Sequence, residues 1–303
     1  MRPWSWRGAF VRALCVAYMV SVESTFSEAV HHGDISAIRA ALEDGADVNE
    51  VLDEPDGRSK GVTALMLVLL SGDSSTGAEH RDELVALLLR TGAEVDAEAE
   101  DGMSALRIAV ERNLPSAALL LLHAGADADG SSGNLLTIAA QIGHAAVAGT
   151  LIEAGADVNA YSGPPIDATP LLMAAAKGHT EVVSLLLDAG ARTDLENSRG
   201  VAPHTAAIIE ALRGQGRATR EVVQMLLSAG APASSTEEMV LRSKPQHTAA
   251  SEAVGLLREW RERERAASSH PLVQWFAARI WYFPIVALLL WLRGRLRKRY
   301  HID

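Results

Sequence analysis

A six-residue phrase of two aliphatic residues, two variable residues and Gly-Ala recurs along this chain and limits its fold more than any other feature. It occurs at 88–93, 121–126, 151–156, 186–191 and 226–231, with an altered copy, A-L-E-D-G-A, at 41–46. The glycines of successive copies are separated by 47, 33, 30, 35 and 40 residues. Repetition at such a period predicts stacked supersecondary units, each of which buries its apolar face only against its neighbours.

The most regular copy shows how one unit folds. It reads T-P-L-L-M-A-A-A-K-G-H-T-E-V-V-S-L-L-L-D-A-G-A at 169–191. Thr169 and Pro170 favour a helix start, because a hydroxyl can cap the helix and proline is tolerated at its first position. Gly178 is placed to end that helix, since glycine readily adopts a positive φ. Val182, Val183 and the leucines at 185–187 predict a second, apolar helix that must pack against its neighbours.

These phrases resemble the ankyrin repeat, whose period is about 33 residues. G-A-D-V-N at 45–49 and 155–159 and G-A-E-V-D at 92–96 resemble the family's exit from the second helix. The resemblance implies an all-α solenoid of about six helix-turn-helix repeats with hairpin fingers over residues 25–235. Long gaps between the glycines place insertions at 50–60, 72–82, 161–168 and 213–220, where they lengthen fingers and loops.

Charge is distributed unevenly along the chain. Residues 25–235 contain 30 acidic and 13 basic side chains, whereas 1–24 and 236–303 carry net charges of +2 and +5. An acidic array disfavours nucleic acid, because binding to phosphates depends on Lys and Arg. The acidity favours a basic partner protein through electrostatic steering. A purely solubilising role for the same charges remains open.

The chain after the repeats divides into two regions. Within 236–269, Ala253, Leu256, Leu257 and Trp260 share one face of a predicted helix, which either caps the last repeat or forms a stalk. Within 270–303, residues 272–292 contain a single formal charge, Arg279, and are long enough for a single transmembrane helix. A basic tail follows at 293–299. A helix lying on an anionic membrane surface and an apolar helix buried on a partner are the alternatives.

The segment 1–24 and the location of the protein leave several interpretations open. Three arginines, an apolar run at 13–22 and a late first acid at Glu23 fit a cleaved secretory signal, a mitochondrial presequence or a retained helix. We expect a single-pass membrane protein. The array is cytosolic if the C-terminal segment is a tail anchor, with the mitochondrial outer membrane as one candidate, or luminal if 1–24 is removed as a signal.

The sequence carries no recognised signature of catalysis or metal binding. It contains no His-Glu-x-x-His, paired cysteines, phosphate-binding Gly-rich loop or Gly-x-Ser-x-Gly. We therefore predict a non-catalytic interaction scaffold with no cofactor, metal or small-molecule substrate. The alternative is a structural subunit of a larger membrane complex. The finger positions give the candidate partner contacts, which are Glu98, Glu100, Tyr161, Glu196 and Asn197.

Overall fold

The structure is a computed structural model of the chain. It describes residues 25–52, 60–71, 77–130, 135–163, 167–213, 219–231, 240–241 and 248–269. The segments 1–24 and 272–292, for which a targeting peptide and a transmembrane helix are predicted, lie outside the described residues.

The described residues form pairs of short helices joined by tight turns. The first helices of the pairs, called A helices below, are α1 (25–32), α3 (Ala64–Leu70), α5 (Ala105–Glu111), α7 (Leu135–Ile142), α9 (Pro170–Lys177) and α11 (Pro203–Leu212). The second helices, called B helices, are α2 (Ile35–Glu43), α4 (Ala78–Arg90), α6 (Pro115–His123), α8 (Ala145–Glu153), α10 (Thr180–Asp188) and α12 (Thr219–Ser228). A longer helix, α13 (Thr248–Ser269), follows them.

A helices pack against A helices of neighbouring repeats, and B helices pack against B helices. The A helices from α3 to α11 each contact the next A helix, and the B helices from α4 to α12 each contact the next B helix. One cluster of buried side chains runs through the stack from Phe26 to Leu257. Since each pair covers the apolar face of its neighbour, the repeats share one elongated core. The predicted all-helical solenoid is confirmed.

The helix ends follow the local chemistry of the sequence. The Thr169 hydroxyl accepts a hydrogen bond from the Leu172 N–H at 3.3 Å, and Pro170 is the first residue of α9. Gly178 ends α9 with φ at 75°. Asn113 takes the corresponding place after α5 with φ at 55°. Asparagine is one of the few residues with a side chain that adopts this conformation at low cost.

The second repeat differs from its prediction. Residues 72–82 were expected to be an inserted loop, but α4 begins inside this segment at Ala78. It has 13 residues, whereas α6, α8 and α10 have nine each. Glu79 in its first turn favours this extension through the helix dipole. Part of the inserted segment therefore forms the first turn of a B helix.

Helix α13 closes the stack at its C-terminal end. It packs against α12 and α11. Ala253 and Leu257 are buried, while Leu256 and Trp260 are half-buried. The Arg261 guanidinium lies 4.6 Å from the centre of the Trp260 ring, a cation–π arrangement. The packing of α13 on α11 and α12 covers the apolar surface that the last repeat would otherwise expose.

No helix among the described residues combines the length and the apolar character needed to cross a membrane.

Candidate functional site

Fingers connect each B helix to the next A helix and project from the stack. Their two sides are paired by isolated antiparallel bridges, Val51 with Thr63 and Glu98 with Ser104. In the fifth finger the Asn197 N–H donates to the Val201 carbonyl at 3.1 Å. The described fingers are thus hairpin-like turns held by a few hydrogen bonds. Glu100 and Asp101 on the second finger, and Ser198 and Arg199 on the fifth, are exposed to solvent.

A ladder of side-chain hydrogen bonds ties successive fingers together. Asn49 accepts from the Glu94 N–H at 2.8 Å, and Asn159 accepts from the Arg192 N–H at 2.8 Å. The residues at the same place in the two intervening repeats do the same. Asp96 accepts from the Asp127 N–H at 3.2 Å and Asp129 from the Asp157 N–H at 2.9 Å. Each acceptor lies four residues after the glycine of the Gly-Ala pair in its own repeat. It accepts from the N–H of the residue two positions after the corresponding glycine in the next repeat.

The ladder stops at Asp194 for a chemical reason. The position it would have to reach in the next repeat is Pro232, which has no N–H. Asp194 instead accepts two hydrogen bonds from the Arg192 guanidinium, at 3.0 Å from Nε and 2.7 Å from Nη2. This pairing lowers the pKa of Asp194 and raises the pKa of Arg192. Both side chains are exposed, so the pair adds little stability.

Tyr161 and Glu196, two of the predicted contacts, lie together in the structure. The Tyr161 hydroxyl donates to the Glu196 carbonyl at 3.3 Å, which joins two neighbouring fingers. The Tyr161 side chain remains 43% exposed. A large aromatic ring held in place and open to solvent is typical of a partner contact.

The other predicted contacts divide into two kinds. The side chains of Glu98 and Glu100 are exposed on one finger, whose backbone is held against the preceding finger by the Glu100 N–H donating to the Lys60 carbonyl at 3.0 Å. Asn197 is half-buried, and its Oδ1 accepts from the Arg199 and Val201 N–H groups, both at 3.0 Å. Asn197 therefore stabilises the turn of its finger. Its side-chain oxygen is already engaged in these two hydrogen bonds.

Three histidines at the start of B helices contact backbone carbonyls. Nε2 of His144 lies 3.2 Å from the Glu111 carbonyl, and Nε2 of His179 lies 3.1 Å from the Gln141 carbonyl. Nε2 of His80 makes the same kind of contact, at 2.7 Å from the Gly33 carbonyl. These rings join α4, α8 and α10 to the C-terminal end of the A helix in the preceding repeat. Within the described chain, no cluster of three or more His, Cys, Asp or Glu residues is arranged to hold a metal ion.

A groove that the sequence did not predict lies between α9 and α11. Its volume is about 580 Å³, and Asn197, Arg199 and Val201 of the fifth finger form one of its walls. The floor is apolar and the rim carries charged side chains. The groove is lined by Leu172, Met173, Ala176, Lys177, Asn197, Arg199, Val201, Ala206, Ile209, Glu210 and Arg213. Because these residues come from three elements, no single stretch of the sequence indicated the groove.

These features define a class of protein. A stack of helix pairs with linked fingers and an open groove offers an extended surface for binding, as repeat proteins do. The chain belongs to the ankyrin repeat family. The family model described as ankyrin repeats matches three times, over residues 26–132, 75–162 and 136–237. Ankyrin repeats generally bind other proteins and are typically non-catalytic.

Solved structures with a similar fold include other ankyrin repeat domains. The human ASB11 ankyrin repeat domain is 21% identical with a TM-score of 0.58, covering 76% of this chain and 96% of its own. An ankyrin repeat domain from Acinetobacter baumannii AYE is 26% identical with a TM-score of 0.57, covering 68% and 98%. The ankyrin repeat domain of Bcl-3, a member of the IkappaB family, is 23% identical with a TM-score of 0.55, covering 69% and 86%. No curated protein is significantly similar to the chain.

Proposed function

We propose that this protein is a non-catalytic scaffold that holds a partner protein on its fingers and A helices. The ladder from Asn49 to Asn159 is the observation that carries the proposal, because it fixes successive fingers relative to one another. A surface that is ordered before binding loses less conformational entropy when the partner docks. Tyr161 is the central contact, since it is the exposed aromatic side chain on this surface.

The partner is a protein with a basic region. Glu98 and Glu100 are exposed on one finger, and the array that presents them has 30 acidic and 13 basic residues. A field of one sign speeds the encounter with an oppositely charged surface and selects against like-charged partners. Glu196 adds a further acidic side chain beside Tyr161.

The scaffold acts at a membrane. Residues 272–292 would form a single-pass anchor, which places the basic tail at 293–299 on the side of the membrane opposite the array. The array is cytosolic if this segment is a tail anchor, and luminal if residues 1–24 are a cleaved signal. Both arrangements leave the fingers free to bind, since α13 separates the array from the apolar segment.

Affinity capture from detergent-solubilised native membranes tests the scaffold. The bait is the tagged full chain, compared with Tyr161→Ala and with the double variant Glu98→Lys/Glu100→Lys. Glu43→Lys/Glu153→Lys is the matched control, because it makes the same charge change at exposed positions at the C-terminal ends of B helices. Lysine is favourable at a helix C-terminus, so the control is expected to fold normally.

We expect both finger variants to lose the captured partner and the control to retain it. Association with the purified partner should slow as salt rises, because exposed charges are screened beyond about 8–10 Å at physiological ionic strength. Capture that is equally strong with both finger variants would contradict the scaffold proposal. A stoichiometric, non-exchanging assembly would instead favour a structural subunit of a membrane complex.

A further inference from the structure

We propose that the groove between α9 and α11 binds an acidic segment of a partner protein, in which an aliphatic side chain is flanked by carboxylates. This inference rests on the proposed function, because it names the chemistry bound at one place on the same surface. It differs from the basic region proposed to bind Glu98 and Glu100, on the finger between the second and third repeats. The two sites would together fix the direction in which an extended partner lies along the array.

The floor of the groove suits an aliphatic side chain. Leu172 and Met173 of α9 lie beneath it, and half-buried Ala176 and Ile209 leave part of their apolar surface in contact with solvent. The methionine side chain adapts its shape readily to an incoming group. A volume of about 580 Å³ has room for a few side chains of a docked segment. Filling the groove would remove this remaining apolar surface from water.

The rim of the groove is positively charged, whereas the array around it is acidic. Lys177, Arg199 and Arg213 are exposed around the groove, and Glu210 is the acidic residue beside them. Glu210 is paired with Arg213 at 2.7 Å. Within the described residues, Lys177 and Arg199 have no ion-pair partner. The groove therefore presents two uncompensated cations in an array whose acidic residues outnumber its basic ones by 30 to 13.

Charge complementarity identifies the occupant. Carboxylates are the protein groups that pair with Lys and with the guanidinium of Arg, and the latter can bind both carboxylate oxygens. A basic segment would be repelled by the same rim. The chain's own ends are poor candidates for this reason, since residues 1–24 and 236–303 carry net charges of +2 and +5.

The cationic rim is held in place before binding. The Asn197 Oδ1 accepts from the Arg199 N–H at 3.0 Å, which fixes the backbone of the finger that carries this guanidinium. Lys177 lies in the last turn of α9, a helix packed between α7 and α11. Asn197 thus acts as a positioning residue for the groove.

Binding of synthetic peptides to the full chain in detergent tests the groove. The probe is a short fluorescent peptide with a leucine pair between glutamates, measured by fluorescence anisotropy. Comparison peptides replace the glutamates by lysines or glutamines, or the leucines by serines. We expect the glutamate–leucine peptide to bind most tightly, and its affinity to fall as salt rises.

Charge reversal on the rim is the decisive variant. Lys177→Glu/Arg199→Glu should weaken binding of the acidic peptide roughly tenfold at low salt, because two attractions become repulsions. The matched control is Arg90→Glu/Arg112→Glu, which reverses two exposed arginines on other repeats. Arg90 and Lys177 each lie in the last turn of a helix, so reversal disturbs the helix dipole similarly in both variants.

Methyl NMR locates the bound peptide independently of affinity. With methionine methyl groups labelled, the Met173 signal should shift on binding, whereas the Met103 and Met225 signals should not. Met173→Leu assigns the signal and keeps the volume of the floor nearly unchanged.

Several results would overturn the inference. They are failure of the acidic peptide to bind, equal binding of the lysine peptide, equal loss in the control variant, and an unchanged Met173 signal. If the groove fails in this way while Tyr161→Ala still abolishes capture of the native partner, the scaffold proposal stands. If capture is also unaffected by the finger variants, both proposals fail.

Discussion

Gly143 and Gly155 have nearly the same backbone conformation in very different surroundings. Their φ angles are 95° and 92°. A methyl group at Gly143 would lie 2.5 Å from Nδ1 of His179, whereas one at Gly155 would have no atom within 4 Å. Gly155→Ala should therefore cost only the strain of a positive φ, about 1–2 kcal/mol. Gly143→Ala should cost clearly more, because it also displaces His179 from the Gln141 carbonyl.

Urea unfolding of the two variants measures this difference. The control is the same pair of substitutions in a His179→Ala background, where the methyl group at Gly143 no longer meets the ring. There the two costs should become equal. Equal destabilisation by Gly143→Ala and Gly155→Ala in the wild-type background would contradict the predicted clash between the methyl group at Gly143 and the His179 ring.

Substitution of Asn159 tests whether the ladder of hydrogen bonds between fingers contributes to stability. Asn159→Ala should lower the free energy of unfolding by about 1 kcal/mol, because the Arg192 N–H loses its acceptor. Asn159→Asp should retain most of this stability, since Asp96 and Asp129 make the same hydrogen bond elsewhere in the ladder. Urea unfolding compares the three chains. An alanine variant as stable as the aspartate variant would show that the ladder contributes nothing to folding.

The features that could be predicted from the sequence are those determined by interactions between residues close together in the chain. Thr169, Pro170 and Gly178 could be assigned roles because caps and helix ends are decided within a few residues. The ladder could not be predicted, since Asn159 meets Arg192 only after the two repeats have stacked in register. The net acidity of the array also concealed the cationic rim around Arg199, which forms only when three elements come together.

Helix α10 shows how one element depends on its neighbours. Leu186 is fully buried in the shared core, where α10 packs on α8 and α12. Leu186→Ala should cost about 2–5 kcal/mol, because the stack cannot fully close the cavity. Calorimetry or urea unfolding gives the value. Leu119→Ala on α6 is the matched control, because Leu119 is 43% exposed and should cost far less. A loss below about 1 kcal/mol for Leu186→Ala would contradict the assigned packing.

The linear arrangement of the whole molecule separates binding from attachment. The repeats form one stack, and α13 covers its C-terminal end before the apolar segment begins. Because each repeat contacts only its neighbours, binding at the fingers need not disturb the far end of the chain. The membrane proposal can therefore be tested by changes after Ser269 that leave every described residue intact.

Removal of the C-terminal segment provides that test. If residues 272–292 span a bilayer, the full chain should resist extraction by alkaline carbonate, and a chain ending at Ser269 should be released. Phe283→Arg should behave like the truncated chain, because Phe283 lies near the middle of 272–292 and a charge near the centre of an inserted helix costs about 2.5–3.5 kcal/mol on insertion scales. A helix that only lies on the membrane surface would be released by carbonate or high salt even in the full chain.

Two controls make the result specific to the anchor. The truncated chain is examined with and without residues 1–24, because the apolar run at 13–22 could hold it at a membrane independently. Its urea unfolding is compared with that of the full chain, since a segment buried against the array would stabilise the repeats and its loss would lower their midpoint. Full-length protein in the soluble fraction would end the membrane proposal and leave the fingers and the groove as the functional surfaces.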